Sequence, residues 1–332
     1  MATYDYKHVK NIALLGHAGC GKTTLAECML FDAGITKRRG SIAAKNTVSD
    51  YHELETERES SVFASLLHTT WNDYKINIID TPGYDDFAGE VISALRVADT
   101  GVIVLNAAMG VEVGTDITWE YTNTFKTPTI FVVNQIDNAD ADFERTLAEA
   151  KAHFGANVVA VQYPVQTGSG FNCIVDVLNM VMYKYGPDGG KPEKVQIPDA
   201  EKPRAEQLHK ELIETIASND ENLMEKYFDQ GELTEEEMKA GLHESMIRHD
   251  IFPLFCASAE KNMGIGRIMS FIDYVCPAAY EMPAQKTKAG AELPCDVKGP
   301  ACIFIFKTII EPHIGELSLF KVFSGSIKGG SE

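Results

Sequence analysis

The stretch Gly16-His17-Ala18-Gly19-Cys20-Gly21-Lys22-Thr23 fits the pattern G-x-x-x-x-G-K-[ST], and no other part of the chain restricts its fold as strongly. The apolar run Ile12-Ala13-Leu14-Leu15 before it predicts a buried strand, and Thr24 to Leu30 after it a helix. A loop in that position turns backbone N–H groups inward, and the helix N-terminus adds partial positive charge. Glycines let the backbone close around phosphate oxygens without Cβ clashes. Lys22 is then placed for the β/γ-phosphates of a nucleotide, and the Thr23 hydroxyl for Mg²⁺. A glycine-rich turn that matched by chance would lack the strand and helix on either side.

Strand-like and helical runs alternate beyond the motif. Val62 to Thr70 and Lys75 to Ile79 read as a hairpin about Trp71-Asn72-Asp73-Tyr74. A helix over Val91 to Val97, a buried strand over Gly101 to Leu105, a helix over Gly114 to Phe125 and a strand over Thr129 to Val133 follow. This order predicts an α/β fold, a P-loop NTPase with a doubly wound, mostly parallel sheet and ligands at the strand C-termini.

Three further pieces fall at such strand ends. Asp80-Thr81-Pro82-Gly83, about sixty residues past the P-loop, is D-x-x-G. Asp80 is placed to hold Mg²⁺ through a water, and the Gly83 N–H to meet a γ-phosphate. Asn134-Gln135-Ile136-Asp137 is N-x-x-D. A carboxylate there accepts two parallel hydrogen bonds from the N1–H and exocyclic amine of guanine, a donor pair that adenine lacks. Ser258-Ala259 closes the set, its backbone N–H groups directed at guanine O6.

The 332 residues allow two domains, or one large domain with an insertion. About 120 residues separate Asn134 from Ser258, more than one strand–helix–strand step requires. An inserted α+β subdomain is therefore expected over about 157–250, with acidic helices at Glu201 to Ser218, Asn222 to Phe228 and Thr234 to Arg248. Thr234 and Glu237 form a capping signature for the last of these. The expected division is a nucleotide-binding domain over 1–284, a linker over 285–300 and the beginning of a β-barrel domain over 301–332. The strand-like runs from Ala301 onward are too few to close a barrel, which implies a piece of a longer protein.

The net charge of −18 argues against a surface that coats duplex DNA, and sequence-specific DNA binding is not expected. Local basic patches such as Lys37-Arg38-Arg39 remain compatible with that charge. Seven scattered cysteines without C-x-x-C spacing suggest neither a zinc site nor a disulfide framework. The polar start of the chain and the lack of an apolar run near ~20 residues predict a cytoplasmic protein without a membrane span.

Taken together, Gly16-His17, Gly21-Lys22-Thr23-Thr24, Glu57-Arg58-Glu59, Asp80-Thr81-Pro82-Gly83, Asp86-Phe87, Asn134-x-x-Asp137 and Ser258-Ala259 resemble the GTPase domain of elongation factor G. The resemblance spans nearly the whole chain, including the insertion and the start of the family's second domain around Phe323-Ser324-Gly325. It implies GTP/GDP and Mg²⁺ as ligands and the ribosome as partner of the full protein, in translation. The implied nucleotide contacts are His17, Ala18, Gly19, Cys20, Gly21, Lys22, Thr23, Thr24, Gly83, Asn134, Gln135, Asp137, Ser258 and Ala259. Thr23 and Asp80 are the implied metal residues.

Four positions depart from the family. Tyr84 stands where the family has a histidine thought to position the attacking water, and a phenol of pKa ~10 is a poor proton acceptor at neutral pH. Phe63 stands where a magnesium-ligating threonine is expected, leaving Ser60 or Ser61 as substitutes in a shifted register. Gly19 replaces an aspartate associated with a monovalent cation, and Gln135 replaces the lysine of N-K-x-D. The binding groups mostly remain, whereas three of the four changes touch hydrolysis or γ-phosphate sensing. A GTP-binding translation factor with slow or lost hydrolysis follows from this pattern. The resemblance also leaves room for an active ribosome-stimulated GTPase, or for a GTP-bound ribosome regulatory or protection factor that does not translocate.

Overall fold

The computed structural model describes residues 4–311 and 314–330. Residues 1–3 and 331–332, the outer ends of the two expected domains, lie outside the described residues, as do 312–313 within the second.

The first half of the chain runs β1 (Val9–Leu15), α1 (Lys22–Asp32), α2 (Glu53–Arg58), β2 (Ser65–Trp71), β3 (Tyr74–Asp80), α3 (Ala88–Leu95), β4 (Thr100–Asn106), α4 (Val113–Phe125), β5 (Thr129–Asn134) and α5 (Phe143–Phe154). It continues through β6 (Val158–Ala160), β7 (Gln162–Pro164), β8 (Cys173–Asp176), β9 (Val181–Lys184), β10 (Glu193–Val195), α6 (Lys202–Ala217), α7 (Glu221–Gln230) and α8 (Glu235–Ile247). β11 (Phe252–Cys256), α9 (Ile265–Tyr274), β12 (Gln285–Lys286), β13 (Glu292–Leu293), β14 (Cys302–Glu311) and β15 (Gly315–Ser324) complete it.

A seven-stranded sheet of order β2-β3-β1-β4-β5-β11-β6 forms the centre. All its pairs are parallel except β2 with β3. Val102–Leu105 and Ile130–Val133 are fully buried, as continuous apolar runs in a sheet covered on both faces must be. The mixed α/β architecture therefore has the expected doubly wound core. The turn of the β2–β3 hairpin places both Asn72 and Asp73 at positive φ, the conformation that matches the twist of a two-residue turn.

Two differences from the sequence reading have a visible cause or consequence in the sheet. β2 begins at Ser65 and not Val62, because the preceding N–H groups are held by side chains: Val62 and Phe63 donate to Glu55 Oε1 at 3.0 Å, and Ala64 to Glu90 Oε2 at 2.7 Å. β6, expected inside the insertion, instead pairs with β11 at the edge of the central sheet. The remainder of the insertion is a four-stranded antiparallel sheet, β10-β9-β8-β7, with α6 to α8. Thr234 and Glu237 complete the capping box at the start of α8. After the short β12–β13 pair, β14 and β15 form an antiparallel hairpin whose Lys307 and Lys321 reach back to Glu90 and Asp99.

Candidate nucleotide-binding site

The functional loops follow β1, β3, β5 and β11, and so gather at the carboxyl edge of the sheet. Gly21 is the N-cap of α1 at φ +94°, where any Cβ would lie 2.4 Å from Asn134 Nδ2. Lys22, 6% exposed, donates to Gly16 O at 2.9 Å and His17 O at 2.8 Å, so the loop's own carbonyls hold its ammonium over the cradle. His17 Nδ1 accepts from Gly114 N at 3.3 Å, tying the loop to the start of α4. Burial pushes the Cys20 thiol up, so this loop residue stays neutral. Gly83 approaches the loop so closely that a Cβ would fall 2.5 Å from Lys22 Nζ and 2.6 Å from Ala18 N.

A cleft of about 770 Å³ opens over these groups, lined among others by Ala18, Gly19, Lys22, Thr23, Thr24 and Tyr84. Tyr84 stands at its mouth, 51% exposed.

Below the cleft, Thr23 Oγ1 donates to Asp80 Oδ2 at 2.8 Å and lies 3.2 Å from Ser61 Oγ. Asp80 Oδ1 and both carboxylate oxygens of Asp50 are buried without a well-formed hydrogen bond among the described residues. Burial pushes the Asp80 carboxyl up to about 6; Thr23 opposes that shift and Asp50 reinforces it. Burial likewise raises Asp50, against the nearby Ser61 hydroxyl. Orphaned carboxylate oxygens beside two hydroxyls are the donor set of a hard divalent cation, so these residues fit Mg²⁺.

At the switch position the structure chooses between the two substitutes named from the sequence, Ser60 and Ser61. Ser61, not Phe63, faces Thr23. The two bonds to Glu55 turn the chain at 62–63, and Phe63 is directed away, packed edge-on against His52 and beneath Lys307. Ser61 thus supplies the hydroxyl in the shifted register, two residues before Phe63.

At the other end of the cleft, Asn134 Nδ2 donates to Cys20 O and its Oδ1 accepts from Ala259 N, both at 2.9 Å. Asp137 Oδ1 accepts from Ser258 Oγ at 2.6 Å. Gln135, at φ +61°, donates to Gly19 O at 2.9 Å, and so ties this strand end to the phosphate loop. The backbone N–H groups expected to face guanine O6 have other partners here: Ser258 N donates to Met263 O and Ala259 N to Asn134. The first closes the turn of the loop and the second fixes Asn134, while the Ser258 hydroxyl holds Asp137.

Sequence reasoning passed over Asp50, Glu55 and Glu27. All three are buried, although each reads as an ordinary charged residue in a polar or helical stretch. A charge without alternating apolar neighbours carries no periodic signal of burial.

Residues 7–278 match the elongation factor Tu GTP binding domain. The crystal structure of a protein from Thermus thermophilus superposes with a TM-score of 0.87 at 27% identity over 98% of this chain. The chain spans 47% of the length of that protein. Phosphate loop, D-x-x-G, N-x-x-D and closing Ser-Ala thus occur in one sheet whose family match covers most of the chain. The chain belongs to the elongation factor Tu GTP-binding domain family, and is an elongation factor G-like member of the translational GTPases.

Proposed function

We propose that this chain is the guanine-nucleotide switch of a translation factor that acts on the ribosome during translocation, with slow GTP hydrolysis. The observation that carries the reading is the linked pair Asn134 and Asp137. Asn134 joins the phosphate loop to the base loop, while Ser258 orients the Asp137 carboxylate. A carboxylate fixed in this way discriminates by leaving groups unpaired against a base without the matching donors.

Lys22 and the loop amides bind the phosphates, and Thr23 and Asp80 hold Mg²⁺, with Ser61 and Asp50 beside them. Bound there, Mg²⁺ neutralises phosphate charge. In this reaction class the protein contributes positioning and charge stabilisation. Tyr84, next to Gly83 at the cleft mouth, offers a phenol where a proton-accepting imidazole would serve better, and this supports slow turnover. No helix among the described residues is long and apolar enough to cross a membrane, in keeping with a cytoplasmic site of action.

A second reading, an active ribosome-stimulated GTPase, is favoured by one observation: Ser61 brings a hydroxyl to the metal residues. Nucleotide titration tests the base assignment. GTP and GDP should bind with micromolar-class affinity or tighter and ATP should compete poorly; Asp137→Asn should move preference toward xanthine nucleotides. Unchanged GTP selectivity in that variant removes the assignment. Phosphate release by the full-length protein, with and without ribosomes, decides between the two hydrolysis readings.

A further inference from the structure

The loop joining α1 to α2 touches the base end of the cleft in a way that phosphate and metal binding leave unused. Glu27 of α1, 1% exposed, holds the neck of this loop. One of its carboxylate oxygens accepts from Gly40 N at 2.9 Å and the other from Val48 N. Immediately before the neck, Arg39 Nη1 donates to two successive carbonyls of the base loop, Ala259 O at 3.1 Å and Glu260 O at 2.7 Å.

Cys28 of α1 donates to the same Ala259 oxygen at 3.0 Å, its thiol pushed up to about 12 by burial and so protonated. Across the same residue, Ala259 N is bonded to Asn134, and Asn134 to the phosphate loop. The base loop is therefore suspended between two others: through its amide to the phosphate loop, and through its carbonyls to Arg39. A guanidinium donating to neutral carbonyls makes stronger bonds than a neutral donor would, in a geometry no flexible surface lysine reproduces.

We infer that Arg39 is the positioning residue of the base-binding loop, through which the α1–α2 loop sets the affinity for the guanine base. The inference rests on the guanine-nucleotide reading above and extends it. Movement of the α1–α2 loop is transmitted to the base, and not only to the phosphates.

The test uses the whole chain and a fluorescent GDP analogue, with Mg²⁺–tripolyphosphate as a ligand that has no base. Arg39→Ala should speed GDP dissociation about 10-fold, the usual effect of losing a charged hydrogen-bond donor. Its affinity for tripolyphosphate should stay at the wild-type value, and Arg39→Lys should recover part of the loss. Glu27→Gln should weaken GDP in the same sense and add little to Arg39→Ala, because both act on one link. Unchanged GDP dissociation in Arg39→Ala overturns the inference. So does an equal loss for GDP and tripolyphosphate, which marks a general structural defect, and so does full additivity of the two substitutions. A wild-type chain that binds tripolyphosphate but not GDP sinks the guanine reading itself, a result distinct from any of these.

Discussion

The hydroxyl of Ser61 lies 3.2 Å from that of Thr23, across 38 residues of chain, while Phe63 is turned outward and is 37% exposed. Ser61→Ala should therefore weaken a non-hydrolysable GTP analogue in Mg²⁺ by about 10-fold while changing GDP little, the cost of one lost polar ligand. Phe63→Ala should leave both affinities alone, and Phe63→Thr should not raise hydrolysis. Equilibrium titrations of the three variants check this. A GTP-selective loss in Phe63→Ala with none in Ser61→Ala would reverse the assignment.

Tyr84 is adjacent to Gly83, which packs against Lys22 and Ala18. Tyr84→His should raise ribosome-stimulated phosphate release by about 10²-fold if a proton-accepting side chain at the cleft mouth is what limits turnover. Single-turnover release with purified ribosomes is the measurement. No gain would place the limit elsewhere in the cleft.

Lys307 of β14 donates to Glu90 Oε2 and to Ala64 O, both at 2.7 Å, and the same Glu90 oxygen accepts from Ala64 N. The hairpin thus closes a set of bonds that includes the strand start after Ser61 and the helix after Tyr84. Lys307→Ala should cost on the order of 1–2 kcal/mol of unfolding free energy. It should also accelerate amide exchange at Ala64 relative to the centre of β4. Equal protection in the variant and the wild type would show the contact to be idle.

Asp273 is buried in α9, and burial pushes its carboxyl up from 3.8 to about 8 against the pull of Lys10. The folded value lies above the unfolded one, so the folded chain holds the extra proton across that interval. The stability this contributes is complete below pH 3.8 and is lost as pH rises through about 8. Asp273→Asn should therefore gain thermal stability relative to the wild type as the pH is raised from about 4 to about 9. Melting curves at several pH values check this, and a difference that stays flat would contradict it.

The phosphate loop, D-x-x-G and N-x-x-D were legible because each is a short string whose chemistry depends on local spacing. Their flanking strands were legible too, β5 and the end of β1 as unbroken buried apolar runs and β3 as an apolar run broken by Asn77. Register was less so. Where β2 starts was decided by Glu55 and Glu90, side chains from a preceding and a following helix that capture the N–H groups of 62–64. Which residue faces Thr23 depends on that capture, and motif matching by itself left Ser60 and Ser61 undistinguished.

From its residues alone this chain specified an α/β sheet with a phosphate cradle, and an N-x-x-D pair at a strand end, because those features are encoded in contiguous spacing and periodicity. Only the folded arrangement decided that Ser61 turns inward, that Asp50 and Glu27 are buried, and that Arg39 grips the base loop. Each of these depends on a bond or a neighbour supplied by a distant part of the chain. The burial of a charge is a property of what surrounds it, and that is settled when the elements pack.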